Sequence, residues 1–162
     1  MQVVGYVREA PRPDDGESAY AQSERIRRWV ARGGHSLVAV CQDVPQPGHA
    51  LERQGYRALL GIVEAGQADA VLLPGLAALS VDKIVQEVML WDLRRRGVLV
   101  LVTEEEDLAA LADPSEDPAR MLVRDVLART GEYAQVLEGV EPVARGEPEV
   151  IVELVPWQEE AG

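Results

Sequence analysis

A single cysteine, Cys41, leaves no partner for an intrachain disulfide and too few thiols for a cysteine-based metal cluster. The only histidines, His35 and His49, make no metal motif between them, so neither metal nor cofactor is expected. No apolar run approaches the roughly 18 consecutive residues that a membrane span needs. The opening Met1, Gln2, Val3, Val4 also lacks the basic region of a signal peptide, so a soluble, cytoplasmic chain with no membrane association is expected. Basic charge is scarce in one part of the chain. Residues 1 to 103 carry 12 acidic and 12 basic side chains, whereas residues 104 to 162 carry 16 acidic and 4 basic ones and supply the whole net charge of −12. Affinity for a duplex comes largely from neutralising phosphates, so an acidic C-terminal part opposes direct, site-specific DNA binding.

Four short apolar runs, Val3 to Val7, Leu37 to Cys41, Ala70 to Leu73 and Val98 to Val102, alternate with helical patterns. That alternation predicts an α/β domain with a mainly parallel sheet. Because the runs are apolar without alternation, they read as strands covered on both faces. A first helix is expected from about Ser18 to Arg32, with Ile26, Trp29 and Val30 buried, Glu24 pairing with Arg28 and Gly33-Gly34 as its stop. A second, from about Arg53 to Ala65, would bury Tyr56, Leu59, Leu60 and Val63. A third has Ser80 as cap, Asp82 in its first turn, Arg94 to Arg96 in its last, and Ile84, Val88 and Trp91 as its inner face. An acidic turn, Glu104 to Asp107, follows the fourth strand, then a helix capped by Asp117 and opened by Pro118 that runs to about Leu137. Residues 138–162 form an acidic tail in which Val150, Val152 and Leu154 alternate as in an added edge strand.

Several residues in this order resemble those of serine recombinase catalytic domains, of the resolvase and invertase type. They are Val4-Gly5-Tyr6-Val7-Arg8 on the first strand, Ser18 and Gln22 opening the first helix, Trp29 and Gly33, Asp43 after the second strand, and Arg53-Gln54-Gly55-Tyr56. The resemblance implies a three-layer α/β/α fold, a sheet of four or five strands in the order 2-1-3-4-5, and a resolvase-like domain over residues 1–137. Family members carry a DNA-binding part after the long helix, but no helix-turn-helix or zinc-ribbon pattern stands there, so no DNA-binding domain is expected in this chain. It also implies which residues would do the chemistry. Ala10 stands where the family has its nucleophilic serine, and Ala77, Ala78 and Val81 stand where it has an aspartate and two arginines. A methyl group cannot attack a phosphodiester, and loss of a single charge-stabilising donor typically costs about 10²- to 10³-fold in rate. On these residues the chain is expected not to be an enzyme.

Tyr6, Arg8, Gln22, Asp43 and Arg53 match the family's active-site neighbourhood, and two readings stay open for them: a remnant anion pocket, or side chains kept for packing and ion pairs. In the family the helix after the fourth strand mediates oligomer contacts, and Leu122, Val123, Val126, Leu127, Thr130 and Tyr133 make the corresponding stripe here. The function expected is therefore protein association, as a homodimer or hetero-oligomer, modulating site-specific DNA recombination. Two alternatives are a flavodoxin-like α/β small-ligand binder or enzyme, and an active recombinase with an unconventional site.

Overall fold

A computed structural model describes residues 1–10, 16–44, 53–112 and 117–138. Its strands are β1 (Gln2–Arg8), β2 (Ser36–Asp43), β3 (Ala70–Leu73) and β4 (Leu99–Val102). Its helices are α1 (Ala19–Arg32), α2 (Gln54–Glu64), α3 (Lys83–Arg95), α4 (Glu105–Ala112) and α5 (Pro118–Glu138), with a 3₁₀ turn at Leu76–Ala78. The chain divides into two units, Met1–Ala128 and Arg129–Gly162, with the boundary inside α5.

All strand pairs are parallel and the order is β2-β1-β3-β4, the predicted arrangement. Successive residues of β1 serve opposite faces, as a pleated strand requires. Val3 and Val7 join Ile26 and Val30 of α1 on one side, whereas Val4 and Tyr6 join Leu59 and Val63 of α2 and Leu90 and Leu93 of α3 on the other. The result is the three-layer sandwich. Each of the first three helices is followed by a glycine in the left-handed region, Gly34, Gly66 and Gly97, before the chain re-enters the sheet. Gly5 lets α1 approach closely, since a Cβ there would lie 3.1 Å from Ile26.

The structure corrects five local expectations. Only the central strands β1 and β3 are buried throughout their apolar runs; β2 and β4 are edges, with Val38 and Leu99 exposed. The acidic segment after β4 is a helix, α4, because Glu105, Glu106 and Asp107 sit in a first turn where negative charge suits the helix dipole. Asp82, not Ser80, caps α3, accepting from the N–H groups of Ile84 and Val85. The inner face of α3 is Gln86, Glu87, Met89, Leu90 and Leu93, while Ile84 and Val88 are exposed and Trp91 is half-buried with Arg95 stacked on its ring. Two buried polar residues shift the apolar stripe by nearly half a turn. Finally, Glu24 pairs with Arg27 at 3.1 Å, while Arg28 donates to the Glu24 backbone carbonyl. The edge strand expected at Val150 to Leu154 lies outside the described residues. Among those residues no helix is long and apolar enough to cross a membrane.

Candidate functional site

In an open parallel sheet, ligands bind beyond the carboxyl ends of the strands, at the point where strand order reverses. Here that point lies between β1 and β3, and a cavity of about 440 Å³ opens there. Arg8, Glu9 and Ala10 leave β1 on one side, and Pro74 through Ala78 leave β3 on another. The start of α1 contributes Gln22 and Arg25, with Gly16 and Glu17 just before it, and Val81 and Glu104 complete the wall.

Local hydrogen bonds set this geometry. Ser18 caps α1 by accepting from Ala21 N–H. Gln22 ties that helix to the end of β1: its amide oxygen accepts from Arg8 N–H at 3.2 Å and its amide nitrogen donates to the Arg8 carbonyl at 3.0 Å. With its backbone clamped, Arg8 keeps a free side chain; its guanidinium makes no hydrogen bond or ion pair with any described residue. Arg25 is held instead, by Glu17 at 2.6 Å and Glu104 at 3.0 Å, while its Nε is buried without a hydrogen-bond partner. On the far wall Asp107 accepts from Leu76 N–H at 2.6 Å and Thr103 donates to the Pro74 carbonyl at 2.7 Å, which fixes the 3₁₀ turn carrying Ala77 and Ala78.

The residues singled out from sequence separate into three places. Ala10, Ala77, Ala78 and Val81 all line the cavity, together with Arg8 and Gln22. Tyr6 and Asp43 lie within the body. The Tyr6 hydroxyl donates to Asp43 at 2.7 Å, and the same carboxylate accepts from Gly55 N–H at 2.7 Å and Tyr56 N–H at 3.1 Å, so Asp43 serves as the cap that α2 otherwise lacks. Burial, reinforced by the bond to Asp43, pushes the Tyr6 phenol well above its ordinary pKa. Burial also pushes Tyr56 up to about 12 and raises the Cys41 thiol. Arg53 is turned to another partner set, donating to the Leu79 carbonyl and lying 3.0 Å from Met89 Sδ. A shared anion pocket for Arg8 and Arg53 is therefore not what these contacts form.

Arg25, Glu17 and Glu104 went unrecognised as site residues from sequence. The usable signal was spacing: Arg25 stands three residues after Gln22, hence on the same face of α1.

On α5, Leu122, Val126 and Tyr133 are exposed, whereas Val123 and Leu127 are half-buried. Its first turns are pinned to α3. Buried Glu87 receives Arg120 at 2.6 Å and Arg124 at 2.6 Å, Arg120 also donates to Gln86, and Lys83 reaches Asp117 at 2.7 Å.

Among solved structures, the N-terminal catalytic domain of TP901-1 integrase superposes with a TM-score of 0.58 at 20% identity, covering 85% of this chain and 99% of that one. A resolvase family site-specific recombinase from Streptococcus pneumoniae gives 0.57 at 20% identity, covering 86% and 95%. The C-terminal catalytic domain of ISC1926 TnpA, an IS607-like serine recombinase, gives 0.55 at 21%, covering 85% and 86%. At such identities the likeness is one of fold. A search of curated proteins returns no match. The family profile described as Resolvase, N terminal domain, matches residues 3–137. That family is one of serine recombinase catalytic domains, and membership in it overturns the expectation that the chain is not an enzyme. By fold and by sequence, the chain belongs to the resolvase N-terminal domain family.

Proposed function

We propose that this recombinase-type domain takes part in site-specific DNA recombination through protein association, docking the outer face of α5 on a second recombinase-type subunit. The observation that carries the reading is the two-sidedness of α5. One side is anchored by Arg120 and Arg124 on Glu87, and the other leaves Leu122 65% and Val126 53% exposed. Large apolar side chains held outward on an anchored helix are what an association surface needs. Tyr133, in the second unit, is itself 68% exposed. Sequence-specific duplex contact falls to the partner, because residues 104 to 162 are strongly acidic.

The test is the mass of the purified chain by light scattering at high micromolar concentration, before and after Leu122→Asp with Val126→Asp. A dimer that this pair converts to a folded monomer supports the reading. A monomer in the unchanged protein rules out self-association; if it also fails to co-elute with an active recombinase subunit, association is excluded altogether.

A further inference from the structure

The cavity at the ends of β1 and β3 differs in character from a surface that receives a polyanion. Among the described residues its rim carries three carboxylates, Glu9, Glu17 and Glu104, against two guanidinium groups, Arg8 and Arg25. Arg25 is already matched by two of those carboxylates. A single cation, Arg8, stays unmatched among the described residues. Duplex DNA presents a charge about every 1.7 Å along its axis, so several phosphates would face the carboxylates for each one that reached Arg8. A molecule with one anionic group can sit on Arg8 without setting further charges against the carboxylates. Pro74, Ala77, Ala78 and Val81 give the lining an apolar part, and a volume of about 440 Å³ suits a small organic ligand rather than a bare ion.

We propose that this cavity binds a small organic acid, with its single anionic group, carboxylate or phosphate ester, on Arg8 and its apolar body along Ala77, Ala78 and Val81. The guanidinium fork offers two parallel N–H donors to such a group. The Gln22 clamp fixes the backbone from which the fork extends, so Arg8 is presented from a rigid strand end. The apolar body displaces water from the alanine wall, and that burial supplies affinity a bare anion lacks. This site is separate from the α5 face, and its test does not depend on the oligomeric state.

The probe is 2-naphthoate, titrated into the isotope-labelled full chain and followed by amide chemical shifts and by calorimetry. Two fragments accompany it: acetate, which has the anion without the body, and 2-naphthalenemethanol, which has the body without the anion. Expected is saturable binding of 2-naphthoate with shifts centred on Ala10, Gly75 and Ala77, each fragment being weaker by at least about tenfold. Arg8→Gln and Ala77→Trp should each weaken 2-naphthoate by about tenfold or more, the first by removing the fork and the second by filling the space. Arg8→Lys, which keeps the charge and loses the fork, should fall between. Should Ala77→Trp fail to fold, Arg8→Gln still decides, since its side chain holds nothing within the described fold. Acetate binding as tightly as 2-naphthoate, insensitivity to Arg8→Gln, or no saturable binding would each overturn the proposal. So would a short duplex oligonucleotide that binds through Arg8 and displaces 2-naphthoate at comparable concentration, which would return the cavity to nucleic acid.

Discussion

Two arginine–glutamate clusters of similar composition sit in opposite environments. At the cavity mouth, Arg25 joins Glu17 and Glu104 with every side chain a third or more exposed. At the seam of α3 and α5, Arg120 and Arg124 converge on a Glu87 that is 1% exposed, with Arg120 itself at 7%. The chemistry is the same and the consequence differs. Water screens the first cluster and replaces any partner lost, so it can rearrange around a ligand at small cost. No solvent reaches Glu87, so each charge there depends on its counter-charge, and the seam fixes where the outer face of α5 points.

Removing Glu87 breaks this comparison most directly. Glu87→Ala strands Arg120 in a buried position beside Gln86, and breaking a buried pair in this way costs about 3–5 kcal/mol. Urea unfolding should show that loss, and the association measured by light scattering should fall with it because α5 loses its anchor. A loss below about 1 kcal/mol would mean that the seam is as well solvated as the mouth.

A smaller effect is expected at the other buried carboxylate, Asp43. Tyr6→Phe deletes one of its three hydrogen bonds while keeping the edge-on contact of rings 6 and 56 at 5.7 Å. A hydrogen bond to a charged group contributes about 1.5–3 kcal/mol, and two N–H donors stay behind, so the lower end of that range applies. The pH dependence gives a second reading. Both phenols titrate higher in the folded chain than their ordinary value, so the unfolded state releases its protons first as pH rises. Their contribution is intact below about pH 10 and declines above it. Tyr6→Phe should therefore flatten the alkaline fall in stability seen by denaturant titration, and an unchanged slope would show that Tyr6 does not carry it.

Every helix but α4 was legible in the sequence, because strand cores and glycine stops are local signals, whereas the strand order came from the family resemblance. Val3 to Val7 and Ala70 to Leu73 needed no knowledge of their neighbours. What sequence did not show was the face that each helix buries when polar residues are inside. On α3, Ile84 and Val88 look like core and are exposed, since Gln86 and Glu87 take the inner positions to meet Arg120 and the Ser80 carbonyl. The same limit acted at the site. Ala10, Ala77, Ala78 and Val81, placed by resemblance, do share one cavity, yet Arg53 is drawn away to Leu79 and Arg25 is drawn in by Glu104, a residue far along the chain. Long-range charge pairing decides such positions, and no window along the sequence contains both partners.

The mouth cluster should respond least in stability and most in binding. Glu17→Gln and Glu104→Gln each remove one exposed partner of Arg25, and pairs of this exposure contribute about 0–1 kcal/mol. Unfolding midpoints should therefore move little, in contrast to Glu87→Ala. Together the two changes release the Arg25 guanidinium into the cavity and remove two negative charges from its rim. An organic acid already on Arg8 then gains a second cation within reach and loses two repulsive neighbours. Affinity for 2-naphthoate should rise by about threefold to tenfold at low ionic strength, with the gain shrinking as salt screens it. The double variant measured by calorimetry at two salt concentrations checks this, and weaker binding would mean that the Glu17–Arg25–Glu104 chain shapes the cavity rather than merely lining it.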